Sequence, residues 1–100
     1  MSQLSKVVRE YRAGQEMSLR AFAEALSENG VQVSRQSIWN WENGQNQPDN
    51  ASLLMMLRFE DWRRDFACDC LAAIYPDLYA PSGEIGIKVL NYKKRRSVEN

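Results

Sequence analysis

Residues 34–44 read SRQSIWNWENG, and their order of polar and apolar side chains is typical of a short amphipathic helix. Ile38 and Trp41 are three positions apart, so a helix would place both on one face. Ser34 is a favourable N-cap, and the Asn-Gly pair that closes the stretch is a strong signal for a helix C-terminus. We therefore predict a helix that begins at Ser34, ends near Asn43 and packs through these two apolar side chains.

Two helices are predicted before this stretch, because apolar residues recur there every three or four positions. The first stripe is followed by Gly14, which we expect to end that helix. The second helix starts after Ser18, a potential N-cap, and ends at Asn29-Gly30. The stripes consist of Leu4, Val7, Val8 and Tyr11 in the first helix and of Leu19, Phe22, Ala23 and Leu26 in the second.

Two more helices are predicted after a short loop. The fourth covers residues 51 to about 57, and Asp49 or Asn50 caps its N-terminus. The fifth and longest runs from Phe59 to Tyr75, where Pro76 is expected to end it.

Residues 1–80 are therefore predicted to form one domain, an all-α compact bundle of about five helices. Of the 100 residues, 44% are hydrophobic and 26% are charged, which is typical of a globular domain with a single core. Residues 81–100 are predicted to form a C-terminal arm. Its residues Ile85, Ile87 and Val89 alternate as in an extended strand, which would need a partner to pair with.

The composition argues against several classes of function. The chain has no histidine, and Cys68 and Cys70 lie on different faces of a predicted helix, so we expect a buried, reduced thiol at one or both, with no metal, cofactor or disulfide. Paired carboxylates at catalytic spacing and glycine-rich phosphate loops are lacking, so we expect neither an enzyme nor a small-molecule site. Because no apolar run is long enough to span a bilayer and the first residues are charged, we expect a cytoplasmic protein without membrane contact.

The helix at residues 34–43 and the helix before it form a helix-turn-helix arrangement over about residues 18–44. Polar side chains that suit base edges lie toward the outer side of the second helix, since arginine can bond guanine and glutamine or asparagine can bond adenine. We therefore predict that this helix reads double-stranded DNA in the major groove. The formal net charge of zero counts against nucleic-acid binding, but Lys88 and the run Lys93–Arg96 concentrate positive charge near the C-terminus.

This segment resembles the lambda-repressor and Cro-like helix-turn-helix family, also called the xenobiotic-response-element type. The likeness covers about residues 4–57 and rests on Phe22-Ala23, on residues 34–44 and on Pro48. Its most specific part is the pattern Ser-x-x-x-Ile-x-x-Trp-Glu-x-Gly-x-x-x-Pro. The resemblance implies a transcriptional regulator, and we expect a repressor because no separate activation or ligand-sensing domain fits in the chain.

The resemblance also assigns roles to single residues. Arg35, Gln36 and Asn40 occupy positions that touch base edges in the family, with Ser37 nearby, and Asn43 occupies a position that contacts a backbone phosphate. Arg12 falls where the family often has an arginine that pairs with the acid at Glu42, which implies a structural ion pair between the first and third helices.

Two features depart from the family pattern. The connection from Ser27 to Val33 is longer than the usual tight turn, which bears on the angle of the third helix. Leu19 stands where the family often has a phosphate-contacting glutamine, so Arg20 or Ser18 with the helix N-terminus would replace that contact. The residues predicted to contact DNA are then Ser34, Arg35, Gln36, Ser37, Asn40, Asn43, Arg20 and Ser18.

Some side chains allow two interpretations. Trp39 could pack on the turn at residues 27–33 or contact sugars and thymine methyls, and packing is favoured. The basic run Lys93–Arg96 fits a solvated tail and a DNA contact equally well. A solvated helix face is favoured over phosphate contacts for the arginines Arg58, Arg63 and Arg64.

The stripe formed by Trp62, Phe66 and Ile74 suits either the core or a dimer interface. We expect a homodimer, which would present two recognition helices about one DNA turn apart. The alternative function is a protein-interaction module, or an antitoxin, whose residues 81–100 bind a partner protein while DNA binding is secondary.

Overall fold

The computed structural model describes residues 2–28 and 30–79, which form an all-α fold with no strand among them. The predicted arm at residues 81–100 lies outside the described residues. The predicted end of the second helix at Asn29-Gly30 is wrong, because this helix ends at Leu26 with Ser27 as its C-cap. Five helices are seven residues or longer and a sixth has four. Their bounds are α1 Gln3–Gly14, α2 Leu19–Leu26, α3 Arg35–Glu42, α4 Asn50–Met56, α5 Trp62–Ile74 and α6 Pro76–Tyr79.

Side-chain caps fix where the first five helices begin. Ser18, Ser34 and Asp49 act as the predicted N-caps, and each accepts a hydrogen bond from the backbone N–H three residues later. Ser2 caps α1 in the same way. Asp61 caps α5, so this helix starts at Trp62 and the predicted start at Phe59 is wrong.

The last two helices meet at a proline that has two effects. Pro76 follows α5, as expected, but it is also the first residue of α6, a position where its fixed φ and missing N–H are tolerated.

Asp61 at the other end of α5 has a lowered pKa, because Arg63 donates hydrogen bonds to its carboxylate.

The C-terminus of α1 differs from the prediction. Gly14 is still helical, and the left-handed residue that ends the helix is Glu16, with a φ of 54°. The Glu16 N–H bonds the Ala13 carbonyl at 3.0 Å, and the Met17 N–H bonds the Arg12 carbonyl at 3.2 Å. This is a Schellman motif with glutamate at the position where glycine is usual.

Aromatic side chains join α1, α2 and α5 in the core. Phe22 is fully buried, stacks on Trp62 at 5.4 Å and meets the edge of Phe66 at the same distance. Tyr11 packs edge-on against Phe66 and donates a 2.5 Å hydrogen bond to Asp69. The aromatic part of the predicted stripe on α5 therefore belongs to the core of the chain itself.

The connection between α2 and α3 is closed by a single hydroxyl group. Ser27 Oγ accepts a hydrogen bond from the Val33 N–H at 3.0 Å and lies 2.8 Å from the Val33 carbonyl and 2.7 Å from the Ala23 carbonyl. Val31, within the connection, is 3% exposed and belongs to the core. The long connection is thus pinned at both ends, so α3 starts beside the C-terminus of α2.

Candidate nucleic-acid interface

The inner face of α3 is anchored in the core. Ile38 is fully buried and Trp41 is 5% exposed, as predicted from their spacing. Ser5 on α1 donates a 2.9 Å hydrogen bond to the Trp41 carbonyl, which satisfies a backbone acceptor near the helix C-terminus. This contact gave no signal in the sequence, because a serine within a helix predicts no particular partner.

A partly buried ion pair connects the same face to α1. Arg12 donates from Nε to Glu42 Oε2 at 2.6 Å and from Nη2 to Oε1 at 3.0 Å, so the pair has two-pronged geometry. The Glu42 side chain is 7% exposed, and Arg9 Nε lies 3.8 Å from it. The hydrogen bonds to Glu42 raise the pKa of Arg12. The ion pair implied by the resemblance is confirmed.

The C-terminus of α3 closes with the predicted glycine. Gly44 has a φ of 70° and follows the cap residue Asn43. The Gln45 N–H bonds the Asn40 carbonyl at 2.8 Å, and the Gly44 N–H bonds the Trp41 carbonyl at 3.4 Å. This second Schellman motif has glycine in the left-handed position, where a side chain would add strain.

The outer face of α3 carries most of the predicted contact residues. Arg35, Gln36 and Asn43 are exposed, and Asn40 is half-buried. Asn43 Nδ2 donates a 2.8 Å hydrogen bond to the Trp39 carbonyl, which leaves its second N–H as a donor and its oxygen as an acceptor. By helical spacing, Gln36, Asn40 and Asn43 lie opposite to Ile38, whereas Arg35 lies on the flank of the helix.

Gln36 and Asn40 orient each other. Gln36 Nε2 donates to Asn40 Oδ1 at 3.0 Å across one helical turn. This bond leaves Gln36 with one carbonyl oxygen and one N–H, the set that complements the N6 and N7 edge of adenine. It leaves Asn40 with two N–H donors, which suit acceptor atoms on a base or a phosphate.

The remaining predicted residues lie at the N-termini of α2 and α3. Ser34 Oγ accepts from the Ser37 N–H at 3.0 Å, and the two hydroxyl oxygens are also 3.0 Å apart. Ser18 caps α2 through the Ala21 N–H, and Arg20 beside it is exposed. The hydroxyl oxygens of Ser18 and Ser34 already accept hydrogen bonds within the protein. Any contact to an anion outside the protein would therefore be donated by their O–H groups.

Arg35 links the two helix N-termini on one surface. One shallow depression is lined by Leu19, Arg35, Gln36 and Trp39. A second is lined by Arg35 and by α2 and linker residues, namely Arg20, Ala23, Glu24 and Val33. Neither Arg20 nor Arg35 forms an ion pair with any described residue, so both guanidinium groups are available to a ligand.

Trp39 is more exposed than the packing interpretation predicts. Its exposed fraction is 45%, and it lines the first depression next to Leu19. The sequence favoured packing because Trp39 is a large apolar residue next to Ile38. In the structure, its position on the helix points the indole away from the core.

Arg63 is an internal anchor, so its prediction as a solvated side chain is wrong. Its side chain is 15% exposed and lies 3.8 Å above the Phe59 ring. It bonds the Ala25 carbonyl at 2.9 Å, Glu28 at 2.9 Å and Asp61 at 2.6 Å. Arg63 therefore joins α5 to the C-terminal end of α2.

The two neighbouring arginines differ from each other. Arg64 is 19% exposed and donates a 3.1 Å hydrogen bond to the Leu57 carbonyl, so it too is held by the fold. Arg58 is exposed, as predicted.

The described residues were also compared with what a reactive cysteine, a metal site or a membrane-spanning helix requires. Cys70 is buried, and burial raises the pKa of its thiol, whereas Cys68 is half-buried and neither cysteine forms a disulfide. Within residues 2–28 and 30–79 no three acidic or cysteine side chains are grouped closely enough to hold a metal ion. None of the helices in that part of the chain has the length and apolar character that crossing a membrane requires.

Comparisons with protein-family models, with curated proteins and with solved structures find no match to this chain. Any assignment of function therefore depends on the chemistry of the α3 surface.

Proposed function

We propose that this protein is a sequence-specific DNA-binding transcriptional regulator, and a repressor, which inserts α3 into the major groove. The single observation that carries the proposal is the division of α3 into two faces. Ile38 and Trp41 hold the helix from behind, while Gln36 and Asn40 lie on the opposite face and Arg35 is exposed at its flank. A groove of about 12 Å width admits a helix presented in this way.

The roles of the outer residues follow from their chemistry. Gln36 reads adenine with the oxygen and N–H that its bond to Asn40 leaves available. Arg35 supplies a donor fork for guanine, and Asn43 supplies a contact to the sugar-phosphate backbone. Arg20 and Ser18 at the start of α2 supply further phosphate contacts.

The charge distribution also fits a second candidate, the protein-interaction module or antitoxin. Residues 1–80 hold eight basic and eleven acidic side chains, whereas residues 81–100 hold five basic and two acidic ones. A basic segment attached to a mildly acidic domain suits an acidic partner protein, and equally the DNA backbone. Replacement of the run Lys93–Arg96 by glutamines separates the two candidates. If the run contacts DNA, the replacement should lower the salt dependence of DNA affinity, and if the run contacts a protein, that salt dependence should stay unchanged.

Association into a homodimer is also part of the proposal, although the aromatic side chains that suggested it pack inside the chain. Phe66 is fully buried against Phe22 and is not available to a second copy, whereas Trp62 is half-buried. A dimer would therefore need more surface than this stripe offers. Two-fold symmetry in the preferred DNA site, spaced by about one helical turn, is its expected signature.

Selection from randomised duplex DNA by the purified 100-residue chain tests the proposal. We expect one enriched sequence, with symmetric half-sites if the protein binds as a dimer. In gel-shift titrations at fixed salt, Asn43→Ala should weaken binding to enriched and unrelated duplexes alike. Recovery of no preferred sequence, together with equal affinity for all duplexes, contradicts a sequence-specific regulator.

A further inference from the structure

An exposed indole lies within the polar outer face of α3. Of the described residues, Trp39 and Leu54 are the large hydrophobic side chains with high exposure, at 45% and 58%. Trp39 belongs to α3 and Leu54 to α4. A single exposed hydrophobic side chain is ordinary on a protein surface, but Trp39 lies among the side chains that we assign to DNA contacts.

The position of Trp39 relates it to the predicted base contacts. It lies four positions after Arg35, three after Gln36 and four before Asn43, so all three are its neighbours on the helix surface. With Leu19 of α2 it forms the apolar part of the depression that Arg35 and Gln36 complete. We call the apolar part of this depression, formed by Trp39 and Leu19, the apolar recess. It directly adjoins Gln36, the side chain that we assign to adenine.

We propose that this recess receives the 5-methyl group of a thymine next to the base read by Gln36. The inference rests on the proposed function and adds a specificity-determining residue to it. Among the groups that base pairs present in the major groove, the thymine methyl is the apolar one, and the others are hydrogen-bond donors and acceptors. A recess formed by an indole and a leucine offers no hydrogen bond to a base edge except the indole N–H, so it matches that methyl group.

The size of the effect follows from the area of one methyl group. Transfer of one methyl-sized group from water to an apolar surface changes an equilibrium constant by about fourfold. The recess should therefore discriminate thymine from deoxyuridine, which differs only by this methyl group, by about fourfold in Kd. The Watson–Crick pairing of the site is the same in both cases, so the comparison isolates the contact.

The test uses duplexes of the selected sequence in which each thymine in turn is replaced by deoxyuridine. Wild-type protein should lose about fourfold affinity at one position, and Trp39→Ala should bind the thymine and deoxyuridine duplexes equally well. Leu54→Ala is the matched control, since it also shortens an exposed apolar side chain, and it should keep the wild-type preference. Circular dichroism melting should show that the wild type and both variants fold. The deoxyuridine scan of the wild type tests the methyl contact even if a variant does not fold.

Several outcomes would overturn the inference while leaving the proposed function intact. One is sequence-specific binding in which no deoxyuridine substitution changes the affinity. Another is a deoxyuridine penalty that persists in Trp39→Ala. A uniform loss of affinity in Trp39→Ala without any methyl dependence would assign the indole to the sugar-phosphate backbone instead. A chain that enriches no DNA sequence overturns both proposals.

Discussion

The two faces of α3 differ in what holds their side chains. On the inner face, Ile38, Trp41 and Glu42 are at most 6% exposed, and their neighbours on other helices fix their positions. On the outer face, Gln36 is exposed and Asn40 is half-buried, and a hydrogen bond joins their side chains. A substitution on the inner face should therefore change stability, and one on the outer face should change binding alone.

The comparison shows how an eight-residue helix can present a defined surface. So short a helix is marginal in isolation, so its stability has to come from tertiary contacts. The core, the Arg12 ion pair and the Ser5 hydrogen bond all act on the inner face or the C-terminal end. The identities of exposed side chains such as Arg35 and Gln36 can then be set by a ligand, because the contacts that hold the helix lie elsewhere.

The largest expected effect is that of Trp41→Ala. Loss of this buried aromatic side chain should lower the free energy of unfolding by about 3–5 kcal/mol. Gln36→Ala on the outer face should change it by no more than about 0.5 kcal/mol. Chemical denaturation of the two variants measures both values, and a similar loss in each would contradict the division into two faces.

The Arg12–Glu42 pair should give the next largest effect. Arg12→Met leaves a buried carboxylate with only Arg9 nearby, and because Arg12 is itself 29% exposed we expect a loss of about 2 kcal/mol. Adding Glu42→Met removes the unpaired charge, so the double variant should be more stable than the sum of the two single losses indicates. Strict additivity in this double-mutant cycle would show that the two side chains do not act as a pair.

Ser27→Ala should lower the free energy of unfolding by about 1–2 kcal/mol, because it removes the hydroxyl that pins both ends of the α2–α3 connection. Hydrogen exchange adds a local readout, since the Val33 amide loses its acceptor and should exchange faster. Ser52→Ala removes a half-buried hydroxyl of α4, which bonds Asp49 Oδ1 at 2.6 Å, and serves as the control because it should leave exchange at Val33 unchanged. Unchanged exchange at Val33 would mean that the connection is held by other contacts.

The smallest effect concerns the helix C-termini, where α1 has Glu16 in the left-handed conformation and α3 has Gly44. Glu16→Gly should stabilise the protein by about 0.5 kcal/mol, since the relief of strain exceeds the extra entropy of the unfolded chain. Gly44→Ala should destabilise it by about 1 kcal/mol for the same reason. Thermal melting should show a higher melting temperature for Glu16→Gly and a lower one for Gly44→Ala. A shift of both melting temperatures in the same direction would contradict the assignment of strain to the two helix C-termini.

Local signals made much of the fold predictable. The caps Ser18, Ser34 and Asp49 and the glycine after α3 act through neighbours in sequence, so their chemistry can be read directly. The buried pair of Ile38 and Trp41 follows from helical periodicity. The predicted end of α1 failed because a glycine usually marks the left-handed position, whereas here Glu16 adopts it.

Contacts between distant parts of the chain were harder to predict. Ser5 bonds a carbonyl on another helix, and Arg63 crosses from α5 to α2. A serine or an arginine has many possible partners, and nothing in the sequence pattern selects one of them. The Arg12–Glu42 pair was found only through the resemblance, and the exposure of Trp39 depends on how α2 and α3 lie together.

The most direct test of the central claim is the affinity of wild type and Gln36→Ala for the selected DNA site and for each of its single base-pair variants, at one salt concentration. We expect Gln36→Ala to lose discrimination at one adenine position, by about 1–3 kcal/mol, and to keep it at the other positions. Its melting temperature should equal that of the wild type. A variant that discriminates every position as the wild type does would contradict the assignment of the outer face of α3 to base recognition.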